Sequence, residues 1–321
     1  MRILSGIQPS GSLHIGNYFA MMRRMIEFQK TDELFCFIVN FHAMTTVHDP
    51  KALREGTLAA AMDFLALGLD PDCSYFWVQS DVPEVTELTW ILSCMTPMSL
   101  LERCVSYKDK IGQGILPNHG IFAYPVLMAA DILAYQSQIV PVGQDQRQHL
   151  EVTRDIATKF NNLYGDTFVV PEADIDEELA IIPGTDGQKM SKSYGNTIEI
   201  FSEEEELRKE IFSIKTDSAT VQDKKDPKKS ILYSIYEIFA SPQKAKVTAE
   251  RFRAGGLSYA RVKEELFEII WEYFRPFRTR RKEIEKEPEG VRQILRMGAN
   301  KAREVATETL ELVRERTGIR Y

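Results

Sequence analysis

Short apolar runs alternate with amphipathic ones through the first half of the chain, the pattern of a parallel sheet with crossover helices. The spacing predicts strands at Arg2–Ile7, Leu34–Asn40, Tyr75–Gln79 and Ile139–Gly143. Between them, apolar residues recur at helical intervals over Asn17–Gln29, Pro50–Leu67, Glu84–Cys94, Met98–Lys110 and Phe122–Gln136, with Gly68 closing the second of these helices. Residues from about 84 to 136 therefore read as a helical insertion inside a doubly wound α/β domain. After about Gly187 the strand signals fade. Ser202-Glu203-Glu204-Glu205 reads as a capping box, and Ser241-Pro242 as an N-cap followed by proline at the first helical position. Gly255-Gly256 closes that helix. Ser258–Lys286 reads as a long helix kinked at Pro276, and Pro288–Thr317 as a last helix ended by Gly318. The pattern divides the chain into a parallel-sheet domain over 1–187, a helical domain over 188–292 and a C-terminal helix over 293–321.

Composition narrows the class. A chain of 321 residues, 44% hydrophobic, can bury a substantial core and fits two domains. There is no internal repeat and no low-complexity linker. Met1 to Gly6 run straight into an apolar strand without a basic leader, and no apolar span approaches the ~20 residues of a membrane helix, so a cytoplasmic protein is expected. Cys36, Cys73, Cys94 and Cys104 are widely spaced and make no C-x-x-C pair, which points to reduced thiols rather than disulfides or zinc. The net charge is -7, yet Arg275–Tyr321 holds 13 Lys and Arg against 8 Glu. An acidic protein with a basic end still has a surface for phosphate, although charge alone does not establish a nucleic-acid partner.

Two short polar stretches carry candidate chemistry. The first strand runs into Gly6-Ile7-Gln8-Pro9-Ser10-Gly11-Ser12-Leu13-His14-Ile15-Gly16-Asn17 and then a helix. A strand, a small-residue turn and a helix N-terminus present orphan backbone N–H groups to an anion, and His14 and Asn17 add side chains there. The stretch has neither G-x-G-x-x-G nor a P-loop, so neither a dinucleotide fingerprint nor a Walker site is supported. The second stretch is Gly187-Gln188-Lys189-Met190-Ser191-Lys192-Ser193. Taken singly, one is an ordinary turn and the other a solvated loop.

Together they resemble the paired HIGH and KMSKS signatures of class I aminoacyl-tRNA synthetases, the first in the variant form HIGN. With all residues equally frequent, an intact KMSKS in a chain this long is a chance event on the order of one in ten thousand. The resemblance implies a Rossmann-like catalytic domain and a KMSKS loop that closes Lys189 and Lys192 over the phosphates of ATP, a role that calls for mobility and forbids burial. Attack of an amino-acid carboxylate on the α-phosphate expels pyrophosphate, whose growing charge positioned cations meet. Lys110 is a third cation implied at the ATP. Gln8, Pro9, Ser10, Gly16, Asn17, Gly143, Gln144, Asp145, Ile181, Met190, Ser191 and Ser193 complete the implied ATP site.

Tyr124, Met128 and Asp131 are spaced to share one helix face, with a carboxylate inside an apolar run. A satisfied core aspartate has the same pattern. Tyrosyl-tRNA synthetases carry glutamine at the middle position, where this chain has Met128. The segment from Tyr124 to Leu133 is instead similar to that of bacterial tryptophanyl-tRNA synthetases, in which the aspartate accepts the indole N–H and the methionine packs on the ring. Val140-Pro141-Val142-Gly143-Gln144-Asp145-Gln146 resembles their VPVGEDQ segment, with Gln144 in place of a common glutamate. That resemblance places Val140 and Val142 against the indole and Gln146 near the amine; His42, from Phe41-His42-Ala43, and Leu4 and Gln8 complete the tryptophan set. His48, His119 and His149 stay outside the site.

Over the helical half the resemblance rests on Lys215-Thr216-Asp217-Ser218 and the last helix. It implies an anticodon-binding helical domain, a last helix returning to the catalytic domain, a homodimer, and tRNA(Trp), L-tryptophan and ATP with Mg2+ as partners and substrates. Some members of the family carry an iron–sulfur cluster in this region; no cysteine follows Cys104, so none is expected here. The expected activity is tryptophan–tRNA ligation through tryptophanyl-adenylate. A tyrosyl-tRNA synthetase and a small-molecule nucleotidyltransferase are the alternatives.

Overall fold

A computed structural model of the chain describes residues 1–321 apart from 10, 105–106, 109–111, 113, 115, 117, 144–145 and 176–181. Along the chain come β1 (Arg2–Ile7), α1 (Ile15–Asn17), a π-helical turn (Tyr18–Met22), α2 (Arg23–Phe28), β2 (Glu33–Ile38), α3 (Asn40–Ala43), α4 (Pro50–Leu67), β3 (Tyr75–Val78), α5 (Glu84–Ser93) and α6 (Met98–Glu102). Then follow α7 (His119–Ala134), β4 (Ile139–Pro141), α8 (Arg147–Tyr164) and β5 (Glu172–Asp174). The remainder is helical: α9 (Glu204–Phe212), α10 (Ile231–Phe239), α11 (Pro242–Ala254), α12 (Tyr259–Ile284) and α13 (Pro288–Thr317). None of the helices described is long and apolar enough to cross a membrane.

The strands form one sheet in the order β3-β2-β1-β4-β5, every pair parallel. The strand order reverses between β1 and β4, so the carboxyl ends of these strands flank the place where open α/β sheets bind ligands. Phe35, Phe37, Phe76 and Trp77 are buried where β2 and β3 pair, Phe37 stacking on Trp77 at 5.0 Å. Each such side chain stabilises the sheet by roughly 1.5–3 kcal/mol.

The chain forms two compact units: residues 1–11, 24–177 and 287–321 in one, and residues 12–23 and 178–286 in the other. In the first unit α7 packs between α5 and α8, and α13 lies on β3. Arg303 and Arg314 of α13 bond Glu84 and Glu87 of α5, the first pair at 2.5 Å. In the second unit Tyr18 packs edge-on against Phe274 of α12 at 5.2 Å and bonds the Tyr273 hydroxyl, which anchors the π-helical turn to the helical bundle.

Several elements differ from the sequence expectation. The first helix begins at Ile15, because His14 and Asn17 cap it reciprocally. Of the expected Met98–Lys110 helix, α6 covers Met98–Glu102, while residues 105–106 and 109–110 lie outside the described residues. The capping box at Ser202 does not form: Glu203 is the N-cap of α9 and makes no side-chain cap bond, leaving Glu204, Glu205 and Glu206 to favour the helix through its dipole. Helices α8 and α10 and the three-residue strand β5 were not expected at all; β5 reads Glu-Ala-Asp, too short and polar to show a period.

Candidate functional site

Two clusters of side chains stand out, one in each unit. In the first unit the strand ends supply the residues. His42 follows β2 on α3, Gln79 follows β3, and Val142 and Gln146 follow β4. Helix α7 supplies Tyr124, Met128 and Asp131. Asp131 is 2% exposed and surrounded by the apolar core that includes Leu4, Ala129, Ala130 and Val140, with Met128 and Val142 packed against it. Its Oδ2 accepts from Gln79 Nε2 at 2.7 Å and lies 2.9 Å from His42 Nε2. Its Oδ1 is buried and has no hydrogen-bond partner. Burial pushes the Asp131 carboxyl above the usual range, while the bond to His42 pulls it back. A buried carboxylate oxygen left unbonded costs free energy, so it is a place for a ligand N–H.

Around this carboxylate runs a second set of bonds. The Tyr124 hydroxyl lies 2.7 Å from His149 Nε2, and His149 Nδ1 lies 2.8 Å from Gln146 Oε1. His42 stands edge-on to Tyr124, ring centroids 6.0 Å apart. His149, left out of the site in the sequence reading, is thus the buried link that orients both Tyr124 and Gln146. Gln79, which the sequence reading does not single out, bonds the Asp131 carboxylate. Its signal is a polar residue closing the apolar strand Tyr75–Val78 at its carboxyl end. Gln8 is exposed just past β1, and Gly143 is exposed after β4.

In the second unit the HIGN turn and the KMSKS stretch pack on one another. His14 Nδ1 accepts from Asn17 N at 3.2 Å, and Asn17 Oδ1 accepts from His14 N at 3.3 Å. Leu13 to Ile15 bond Ile198 and Ile200 as a short antiparallel pair. A Cβ on Gly16 would stand 2.9 Å from His14 Nδ1 and 3.4 Å from Met190 Cβ, so only glycine lets the turn lie this close to both. Burial and, less strongly, Lys192 lower the His14 pKa to about 4. The imidazole is neutral at physiological pH, and because Nδ1 accepts a backbone N–H, the ring proton sits on Nε2.

The KMSKS stretch is tied from within. Asn196, buried, donates from Nδ2 to Asp186 Oδ1 at 2.7 Å and to the Lys189 carbonyl at 3.2 Å, and its Oδ1 accepts from Ser191 N at 2.7 Å. Its bond holds the Asp186 carboxyl below its ordinary value. Lys215, which opens the Lys215–Ser218 segment, bonds the Thr185 carbonyl at 2.7 Å. Lys189 and Lys192 are exposed, but Met190 is 5% exposed. The expectation that this stretch forbids burial is corrected: its methionine is an anchor between two presented lysines. Ser10, Lys110, Gln144, Asp145 and Ile181 lie outside the described residues, as does the side chain of Ser193.

Comparison with known proteins identifies the family. Residues 1–275 match the family described as tRNA synthetases class I (W and Y). The chain is 51% identical over 320 residues to the tryptophan–tRNA ligase of Rhodopirellula baltica, covering all of both chains. It is 49% identical over 319 residues to that of Campylobacter jejuni, covering 99% of this chain and 100% of the relative. The crystal structure of the Campylobacter jejuni tryptophanyl-tRNA synthetase complexed with ADP and tryptophan superposes with a TM-score of 0.95, covering 99% of this chain and 100% of that one at 49% identity. The tyrosyl-tRNA synthetase of Archaeoglobus fulgidus, at 20% identity and a TM-score of 0.66, shares the fold alone. With half of its residues identical along the full length of such relatives, the chain belongs to the tryptophan–tRNA ligases of the class I tRNA synthetase family.

Proposed function

We propose that the chain activates L-tryptophan with ATP and transfers it to tRNA(Trp). The observation that carries this is the buried, unbonded Oδ1 of Asp131. An indole N–H supplies the missing donor. Met128, Leu4, Val140 and Val142 supply apolar contact for the ring, Tyr124, Gln8 and Gln146 provide hydrogen-bonding groups for the amine end, and His42 stands beside the Asp131 carboxylate. A phenylalanine ring would leave Oδ1 unbonded, a loss that sites of this kind turn into discrimination of about ten-thousand-fold.

In the first step a tryptophan carboxylate oxygen attacks the α-phosphorus, and the bond from that phosphorus to the bridging oxygen breaks with the electron pair leaving on pyrophosphate. Lys189 and Lys192 meet the charge that grows there, and neutral His14 donates from Nε2 to a phosphate oxygen. Asn17, Gly16, Pro9 and Gly143, with Ser10, Lys110, Gln144, Asp145, Ile181, Ser191 and Ser193, are assigned to ATP on the family resemblance. In the second step a ribose hydroxyl oxygen of the terminal adenosine attacks the acyl carbon, the bond from that carbon to the phosphate oxygen breaks, and AMP leaves with the hydroxyl proton passing to its phosphate. Mg2+ enters with ATP as part of the substrate, carried on phosphate oxygens; among the described residues no cluster of three or more His, Cys, Asp or Glu is placed to hold a metal.

We also propose that the helical unit binds the anticodon end of the tRNA, and that the protein works in the cytoplasm as a homodimer. Trp90 of α5 and Met98 of α6 are 71% and 63% exposed, apolar surface that a second copy would cover. The test of function is ATP–pyrophosphate exchange with each of the twenty amino acids. Exchange driven by tryptophan is expected; exchange with tyrosine instead, or with none, overturns the assignment. A solution mass of one chain, 36.8 kDa, rather than twice that value overturns the dimer.

A further inference from the structure

Gln79 is fully buried at the carboxyl end of β3, and nothing in the catalytic scheme above uses it. Its Oε1 accepts from Phe41 N at 3.0 Å. A backbone N–H can only donate, so this bond fixes which end of the amide is oxygen. The Nε2 end therefore faces Asp131 Oδ2, at 2.7 Å, as a donor. His42 Nε2 faces the same oxygen at 2.9 Å. Two groups thus converge on one carboxylate oxygen, and the other is left buried without a partner.

We infer that Gln79 is a positioning residue for substrate selection: with His42 it occupies Oδ2 of Asp131 and so leaves Oδ1 as the charged acceptor for a ring N–H. This rests on the proposed role of Asp131 in accepting the indole N–H. Without donors on Oδ2, a buried carboxylate takes up a proton. A protonated Asp131 would then turn an O–H toward the substrate N–H, donor against donor, and the site would lose the feature that separates indole from other flat aromatic rings. The groups that act on Asp131 are His42 from α3 and Gln79 from the turn after β3. Tyr135, one turn along α7, has a phenol held well above its ordinary range by burial and by the Asp131 charge, with Glu84 of α5 adding to the same effect, so it stays neutral.

The test uses the full chain with Gln79→Met, which removes the donor, and Gln79→Glu, which keeps an acceptor for Phe41 N but sets a second carboxylate on Asp131. Dissociation constants are measured by calorimetric titration for tryptophan and for 3-(benzothiophen-3-yl)alanine, its sulfur isostere without the N–H, between about pH 6 and pH 8.5. The wild type should prefer tryptophan by about tenfold or more, evenly across this range. In Gln79→Met that preference should fall by about tenfold at the acid end and recover toward the alkaline end, because only tryptophan binding depends on an ionised Asp131. In Gln79→Glu, two carboxylates sharing a proton should move the same loss to higher pH, and this variant decides the matter if Gln79→Met does not fold. A preference that stays at the wild-type level at every pH, or an equal loss of both ligands, overturns the role of Gln79. A wild type that binds the two ligands equally overturns the role of Asp131 itself.

Discussion

Gly298 of α13 lies so close to β3 that a Cβ built on it would stand 1.9 Å from the carbonyl oxygen of Phe76. The last helix is thereby seated on the edge of the sheet by backbone contact rather than by side chains alone. Gly298→Ala must push the helix off the strand and should destabilise the protein by about 3 kcal/mol or more. Gly290 in the same helix meets nothing within 4 Å, so Gly290→Ala should be neutral or slightly stabilising. Urea unfolding of the two variants makes the comparison. Equal midpoints would mean that α13 does not sit on β3 in solution.

Asn196 organises the stretch that presents Lys189 and Lys192 through three bonds made by one buried amide. Asn196→Ala leaves Ser191 N and the Lys189 carbonyl without that partner. Adenylate formation should slow by about ten- to a hundredfold, on the scale of one to two buried hydrogen bonds. Tryptophan affinity should hold, because the residues proposed to bind it belong to the other unit. Single-turnover adenylate formation beside a tryptophan titration checks both; unchanged kinetics would show that the lysines are placed by something else.

Lys192 is exposed and has no apolar role to lose. If it meets charge that appears only as pyrophosphate departs, Lys192→Ala should lower the rate constant of activation by about a hundred- to a thousandfold with little effect on substrate affinity. A weakened ATP affinity at an unchanged rate constant would reassign it to ground-state binding.

His14 makes stability depend on pH in a defined window. Its pKa in the folded chain, about 4, is below the 6.5 of an ordinary histidine. Between those values the unfolded chain holds a proton that the folded chain does not, so stability is fully present above about pH 6.5 and is lost as pH falls toward 4. His14→Asn keeps an acceptor for the Asn17 N–H and removes the titrating ring. Melting temperatures measured from pH 7 down to pH 4.5 should fall less steeply in the variant. Parallel curves would show that His14 is not the group responsible.

Much of the site was legible because its chemistry is written in contiguous stretches. HIGN and KMSKS carry their spacing with them, and the Asp131 carboxylate inside an apolar helix betrays its burial. What could not be read is pairing across the fold. Gln79 looks like the end of a strand until α7 brings Asp131 to its amide, and His149 looks like any helix-start histidine until Tyr124 and Gln146 meet its two nitrogens. The burial of Met190 was missed for the same reason, since its neighbours are polar and Gly16 is remote in sequence. Among the elements, β1 and β3 were evident from apolar runs, whereas β5 forms because its backbone pairs with β4 and not because of its side chains.

Asp131→Asn separates recognition from structure. In the wild type, Oδ2 is held by His42 and Gln79 while Oδ1 waits for a donor. An asparagine can keep its oxygen toward Gln79 and His42, but its amide N–H then points where the indole N–H arrives, so tryptophan should bind about 1.5–3 kcal/mol worse. ATP affinity should barely move. Stability should change in the direction opposite to that of a bracing residue. Burial raises the Asp131 carboxyl in the folded chain, so the folded protein holds this proton more tightly than the unfolded one, and stability drains away as pH rises from the ordinary aspartate value through the raised one. At neutral pH the neutral amide escapes that cost, and the variant should melt at or above the wild-type temperature while failing to hold its substrate. Melting curves with separate titrations of tryptophan and ATP decide it: a lower melting temperature with both ligands weakened would make Asp131 a structural brace, and unchanged tryptophan affinity in a stable variant would remove it from the site.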